Sequence, residues 1–231
     1  MNILIASDKF KGSLTAKEVC SAIELGIRAF DASVETMLVP MADGGEGTLE
    51  VLEQPLNLTM KEITVQGPLF RPIQTSYGFN GDTAYIEMAR ASGFELLTDE
   101  ERSAMNTSSV GTGELIRDAI NYGAKHIFLS VGGSATNDGG MGMASELGFM
   151  FLDQDGAEVR PIGANLSSVD RIEHDDFVKD VQFTLITDVQ NPLVGAHGAS
   201  YQFGPQKGAS SKSLHSKGRS GLYTKSDLVI Q

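Results

Sequence analysis

The stretch His126–Gly148, reading HIFLSVGGSATNDGGMGMASELG, decides the fold. Ile127, Phe128, Leu129 and Val131 make a short apolar, β-rich run bounded by glycine, the pattern of a strand buried on both faces. The chain therefore leaves a sheet at Val131. The turn that follows holds Gly132, Gly133, Gly139 and Gly140, with Ser134, Thr136, Asn137 and Asp138 between them. After Met141 the pattern turns helical, with Met143, Ala144 and Leu147 on one face and Gly148 as a stop. A strand, a glycine-rich turn and a helix start offer backbone N–H groups and a positive helix end to an anion, and glycine lets a ligand approach the backbone closely.

A turn that only joined packed elements would need the glycines but not four polar side chains among them. The turn fits neither common nucleotide pattern. It has no G-x-G-x-x-G, which disfavours a nicotinamide oxidoreductase, and the chain nowhere contains the Gly-Lys-Ser or Gly-Lys-Thr of a Walker A loop.

The 231 residues suffice for one large core or two modest domains, and 41% hydrophobic with 21% charged residues is a globular composition. A net charge of −12 argues against a nucleic-acid surface. It also means that a phosphate-bearing ligand must be met by local cations or metal ions. The single cysteine, Cys20, excludes an internal disulfide, suits a cytoplasmic location, and lies at helical spacing among apolar residues as a core thiol would. No run is long enough for a signal peptide or a membrane span.

Towards the N-terminus, Asn2–Ala6 reads as a buried strand, and Thr15 with Glu18 forms a capping box that predicts a helix from about Ala16. Val19, Ala22, Ile23, Gly26, Ile27 and Phe30 give that helix an apolar face, and Val34 to Val39 is the next strand. A βαβ unit predicts a parallel sheet, whose ligands bind beyond the carboxyl ends of its strands. Ser7, Asp8, Lys9, Lys11 and Ser13 fall at that edge. Taken singly, Asp8 reads as a turn cap and Lys11 as a solvated charge; together in one loop they are candidates. The second strand runs into Asp43-Gly44-Gly45-Glu46, where two carboxylates could hold Mg²⁺ or simply accept N–H bonds at a helix start.

From Lys61 the texture is that of strands and hairpins: Ile63 and Val65 alternate, and Asn80-Gly81 joins Ile73–Phe79 to Ala84–Met88. Asp99, Glu100 and Glu101 open a loop. Ser108 to Gly113 then leads into a helix carrying Leu115, Ile116, Ala119 and Ile120 and closed by Gly123. Beyond the central stretch, Phe149–Leu152 and Val181–Ile186 read as strands, the second followed at once by Asp188 and Asn191-Pro192-Leu193, then by Lys207 among glycines. A carboxylate just past a buried strand again marks the binding edge.

The runs SDKFKGSLTAKE (Ser7–Glu18), PMADGGEGT (Pro40–Thr48), VGGSATNDGG (Val131–Gly140), DVQNPL (Asp188–Leu193) and YQFGPQKGA (Tyr201–Ala209) together resemble bacterial type I glycerate kinases, in the family's order, over Met1 to about Ala209. The resemblance implies an α/β protein with a Rossmann-like parallel-sheet part, incomplete here, and an inserted mixed α/β domain. The expected boundaries are 1–60, 61–208, and a flexible or non-native tail over 209–231. It implies transfer of a phosphoryl group from ATP to D-glycerate with Mg²⁺, 2-phosphoglycerate being favoured over 3-phosphoglycerate. Lys11 would meet the transferring phosphate and Asp188 or Asp8 the glycerate hydroxyl. Ser7, Ser13, Gly44, Gly45, Gly133, Ser134, Thr136, Asn137, Asp138, Asn191 and Lys207 would hold substrate or nucleotide, and Asp43 and Glu46 the metal. Family members continue past Gly208, so the chain reads as truncated, and the alternative is an inactive fragment that keeps part of the pocket. Nucleic-acid and membrane partners are not expected; homo-oligomer formation is left open.

Overall fold

The structure, a computed structural model, describes residues 1–192, 195 and 197–209. The opening unit is β1 (Asn2–Ile5), α1 (Ala16–Phe30) and β2 (Glu35–Leu38), followed by the short α2 (Thr48–Glu53). Both halves of the predicted capping box form: the Thr15 hydroxyl accepts the Glu18 N–H at 3.2 Å, and the Glu18 carboxylate accepts the Thr15 N–H at 2.8 Å. β1 and β2 pair in parallel, Ile3 beside Thr36, as a βαβ unit requires. The predicted apolar face of α1 is covered only at its start. Ala16, Val19 and Cys20 are buried, whereas Ile23 and Phe30 are exposed, Phe30 to 94%.

The rest of the chain supplies β3 (Thr59–Gln66), β4 (Pro72–Asn80), β5 (Thr83–Glu87), α3 (Ala89–Ser92), α4 (Val110–Tyr122), β6 (His126–Ser130), α5 (Met141–Glu146), β7 (Phe149–Leu152), β8 (Arg171–His174), β9 (Gln182–Ile186) and α6 (Ala199–Phe203). A five-stranded sheet runs in the order β3-β4-β5-β6-β9. Its first three strands are an antiparallel meander turning at Gly81, and β5, β6 and β9 are parallel, so the fold is mixed α/β. α4 lies across one face and buries Leu115, Ile116 and Ala119 against Ile86, Ile127 and Leu129. Full burial of one such aliphatic side chain stabilises by about 1.5–3 kcal/mol.

The other face of β6 is less enclosed than the apolar run predicts. Phe128 is half-buried, stacked on Tyr85 at 5.1 Å between ring centroids, and α2 covers the carboxyl end of this face. Asp99–Glu101, expected to begin a loop, form a 3-10 turn with its own capping box, Thr98 with Glu101. β8 was not legible because Arg171-Ile172-Glu173-His174 has one apolar residue; its pairing with β7 defines it. Residues 210–231 of the expected tail, and Leu193, lie outside the described residues. Among those described, no helix is long and apolar enough to cross a membrane.

Candidate functional site

The loops after β1 and β2 start side by side, the Met41 N–H bonding the Ser7 carbonyl at 2.9 Å. The second loop then crosses to the large sheet. The Gly132 N–H donates to the Gly44 carbonyl at 3.0 Å, and the Val131 N–H to the Ile186 carbonyl at 3.2 Å. This crossing requires glycine. A Cβ at Gly132 would lie 2.7 Å from the Gly45 Cα, and Gly44, at φ +91°, would direct one to 2.9 Å from the Ile186 carbonyl oxygen. The carboxyl ends of β1, β2, β6 and β9 are thereby drawn to one place.

Lys9 fastens the first loop to the second. Its ammonium donates to the Glu46 carbonyl at 2.7 Å and pairs with Glu46 Oε2, both side chains being more than four-fifths buried. Glu46 Oε1 lies over Gly133, buried and without a hydrogen-bond partner among the described residues. Asp8 accepts the Lys9 N–H at 2.6 Å, so it caps its own turn while facing the cleft. Lys11 is exposed on the same loop.

A cleft of about 1720 Å³ opens between the N-terminal unit and the large sheet, with Asp8, Lys9, Ser13, Glu46, Glu87 and Arg90 in its wall. Glu87, at the carboxyl end of the central strand β5, is 3% exposed. Its carboxylate accepts the Gly47 N–H at 3.1 Å and the Leu49 N–H at 2.9 Å, so it caps α2, whose own N-cap residue is a glycine. Burial pushes the Glu87 carboxyl above its ordinary range, against the opposing pull of the Leu49 and Gly47 N–H groups, Arg90 and Lys9. Arg90 donates to the Ser76 hydroxyl at 3.0 Å and sits 3.9 Å from Glu87.

A second group forms on the central glycine turn. Lys207 donates to the Ser134 hydroxyl and to the Thr136 carbonyl, both at 2.7 Å, and Asn137 bonds the Ser200 hydroxyl at 3.3 Å. These contacts tie the segment around α6 to the loop after β6. Asp138 is 1% exposed, and its carboxylate is committed to the protein. It accepts the Ser109 N–H and hydroxyl at 2.8 Å, the Gly140 N–H at 3.1 Å and the Gly142 N–H at 3.2 Å. It stabilises the turn and the start of α5, three of the four bonds falling on Oδ2 and one on Oδ1.

The structure thus brings Asp8, Ser13, Glu46 and Gly47 to the cleft wall, with Gly44, Gly45 and Gly133 packed directly behind or beside them. Ser7 is half-buried, its hydroxyl bonded to the Asp8 carbonyl at 3.1 Å. Ser134, Thr136, Asn137 and Lys207 form the second group. Asp188 and Asn191 are exposed beyond β9, Asn191 donating to the His197 carbonyl at 3.2 Å. The sequence reading missed Glu87 and Arg90 and gave Lys9 no role. Glu87 carried the same signal that singled out Asp188, a carboxylate at the end of an apolar strand, but the hairpin setting masked it; β9 itself proves mostly exposed.

For a divalent cation, Glu46 Oε1 is a buried oxygen with no partner among the described residues, while Oε2 is taken by Lys9. The exposed Asp43 accepts the Gly45 N–H at 2.9 Å through one oxygen and leaves the other open. No group of three or more His, Cys, Asp or Glu side chains that could hold a metal ion occurs among the described residues. These donors fit an ion that arrives on phosphate and keeps waters, the habit of Mg²⁺, and do not form an all-protein cage.

Comparison with known proteins agrees with this architecture. The Glycerate kinase family matches residues 3–220, and the chain belongs to it. It is 46% identical over 215 residues to a glycerate 2-kinase of Escherichia coli (strain K12), covering 91% of this chain and 56% of the relative. It is 45% identical over 214 residues to a glycerate kinase of Bacillus cereus (strain ATCC 10987 / NRS 248), covering 90% and 56%. A solved structure described as glycerate kinase 2 from Salmonella typhimurium LT2 superposes with a TM-score of 0.78 at 41% identity, covering 93% of this chain and 60% of that one. The chain therefore spans little more than half the length of these relatives.

Proposed function

We propose that this chain carries the substrate-binding machinery of an ATP-dependent phosphotransferase that acts on D-glycerate and yields a phosphoglycerate. The observation that supports it is the meeting of the carboxyl ends of β1, β2 and β5 at a cleft whose wall carries Lys9 and Arg90 in a protein of net charge −12. Phosphoryl transfer needs little covalent chemistry from a protein; it needs positioned cations, backbone N–H groups and a water-poor site. Lys11, exposed beside the cleft, would meet the transferred phosphate. Asp8, or Asp188 if it swings inward, would orient the glycerate hydroxyl and accept its proton. Ser7, Ser13 and the glycine turns would cradle anionic oxygens, and Ser134, Thr136, Asn137, Asn191 and Lys207 would hold the far part of the ligands. Asp43 and Glu46 would hold Mg²⁺, which when bound to ATP neutralises phosphate charge. The protein would work in the cytoplasm, with residues 1–60 and 61–208 as its two structural parts.

A coupled ADP-release assay with D-glycerate, run beside a thermal melt, tests this. Turnover is expected, and Asp188→Asn should lower kcat by about 10²–10⁴-fold if Asp188 is the base. An unchanged kcat transfers that role to Asp8. A second reading, ligand binding without turnover, draws support from the exposed apolar side chains of the opening unit. A cooperative melt raised by ATP or D-glycerate, with no ADP released, selects it.

A further inference from the structure

We propose that Glu87 is the positioning residue of this site: it clamps the turn between β2 and α2 to the large sheet and so sets where Glu46, Asp43 and Lys9 stand around the cleft. The inference deepens the phosphotransferase reading and rests on it for its kinetic arm only.

Glu87 is a buried carboxylate whose ion pair with Arg90 is long, at 3.9 Å. A buried carboxylate is costly unless hydrogen bonds satisfy it. Its two oxygens are satisfied almost wholly by the backbone of another element, one by Gly47 and the other by Leu49, across about forty residues of chain. α2 supplies no cap of its own, since Gly47 has no side chain to offer and sits at φ +86°. Without Glu87 the first N–H groups of α2 would face a half-closed apolar space lined by Leu52, Tyr85 and Phe128.

The residue just before this clamp is Glu46. Its carbonyl and carboxylate both bind Lys9, and its side chain lies over Gly133. A shift of the Gly47 backbone therefore moves Glu46, and with it the Lys9 ammonium and the contact with the central glycine turn. Because Glu87 ends the middle strand of the five-stranded sheet, the clamp refers the lightly packed side of the cleft to a strand whose Ala84 and Ile86 lie in the main core.

The test compares the full chain with Glu87→Gln, Glu87→Asp and, as a control, Glu62→Gln on the exposed face of β3. Gln keeps the shape but turns one acceptor into a donor; Asp keeps the charge and falls short by one methylene. Amide exchange at Gly47 and Leu49 should quicken in both Glu87 variants and not in the control. In the ADP-release assay kcat per folded molecule should fall by about 10- to 100-fold, with KM for D-glycerate changed less than kcat. A merely stabilising carboxylate would lower the melting temperature and leave kcat and KM per folded molecule intact, and that result overturns the proposal. So does unchanged exchange at Gly47 and Leu49 in both variants. Should Glu87→Gln fail to melt cooperatively, Glu87→Asp decides by the same readings. If the unsubstituted chain releases no ADP, the phosphotransferase reading fails by itself, and the exchange data still decide whether Glu87 holds the turn.

Discussion

The β1–α1–β2 unit and the five-stranded sheet are held together by different means. In the large sheet and the helix packed on it, Tyr77, Leu115, Ile116 and Ile127 are fully enclosed, α4 covering the face that carries Ile86, Ile127 and Leu129. In the opening unit burial is confined to Ile5, the first turns of α1 and Val34, while Leu4, Leu25 and Met37 face outwards, Leu25 to 70%. That unit keeps its shape through a capping box, a parallel pair of four-residue strands and loop contacts to its neighbour. The cleft lies where the lightly packed arm meets the well-packed frame. Its geometry therefore depends on a few crossing contacts, those of Gly44, Gly132, Lys9 and Glu87, more than on any core.

The sharpest way to break the comparison is a pair of truncations. Ile127→Ala removes a fully buried side chain from the sheet and should cost about 2–5 kcal/mol in chemical denaturation. Leu25→Ala on α1 removes an exposed one and should stay within about 0.5 kcal/mol. Equal costs would show that the outer face of α1 is covered in solution, and the contrast would fall.

A smaller effect should follow where the two regions touch. Gly132→Ala forces a methyl group against the Gly45 Cα, and the backbone of one loop must yield. Overpacking of this kind costs about 1–3 kcal/mol. ADP release should fall further than stability alone explains, because the displaced turn carries Glu46. If stability falls while turnover per folded molecule is kept, the crossing is structural and the cleft does not depend on it.

How much of this was legible depends on how local the cause is. Thr15 and Glu18 predict their helix start because both partners of the cap lie within one turn, and Asn80-Gly81 predicts its hairpin for the same reason. The strand at His126–Ser130 was legible from its apolar run, but the half-open Tyr85–Phe128 face was not, because which element covers a strand is settled by distant chain. Glu87 and Asp138 show the same limit at the site. Each satisfies N–H groups some thirty to forty residues away in sequence, Glu87 holding α2 and Asp138 holding Ser109. From sequence, Asp138 reads as a ligand-facing carboxylate in a polar turn, and Glu87 as the end of a hairpin strand. Only the fold exchanges their importance.

The gentlest probe of the frame is pH. Burial holds the folded Glu87 carboxyl above its ordinary value of 4.5, so folding takes up a proton in the window between that value and the folded one. The sign follows: this contribution is fully present below the unfolded pKa and is lost as pH rises through the folded pKa. Raising pH through the window should therefore lower the melting temperature of the wild type relative to Glu87→Gln, which cannot ionise there. A tenfold difference in proton affinity between the folded and unfolded carboxyl is worth about 1.4 kcal/mol, and about 1 kcal/mol moves the melting temperature of a chain this size by roughly 2–4 °C. Glu146, also raised by burial, titrates equally in both proteins and cancels in the difference. A gap between the two melts that stays constant with pH would mean that the Gly47 and Leu49 N–H groups, with Arg90 and Lys9, offset the burial of Glu87 completely. A gap moving the opposite way would mean that they outweigh it, and the clamp would then be strongest when ionised.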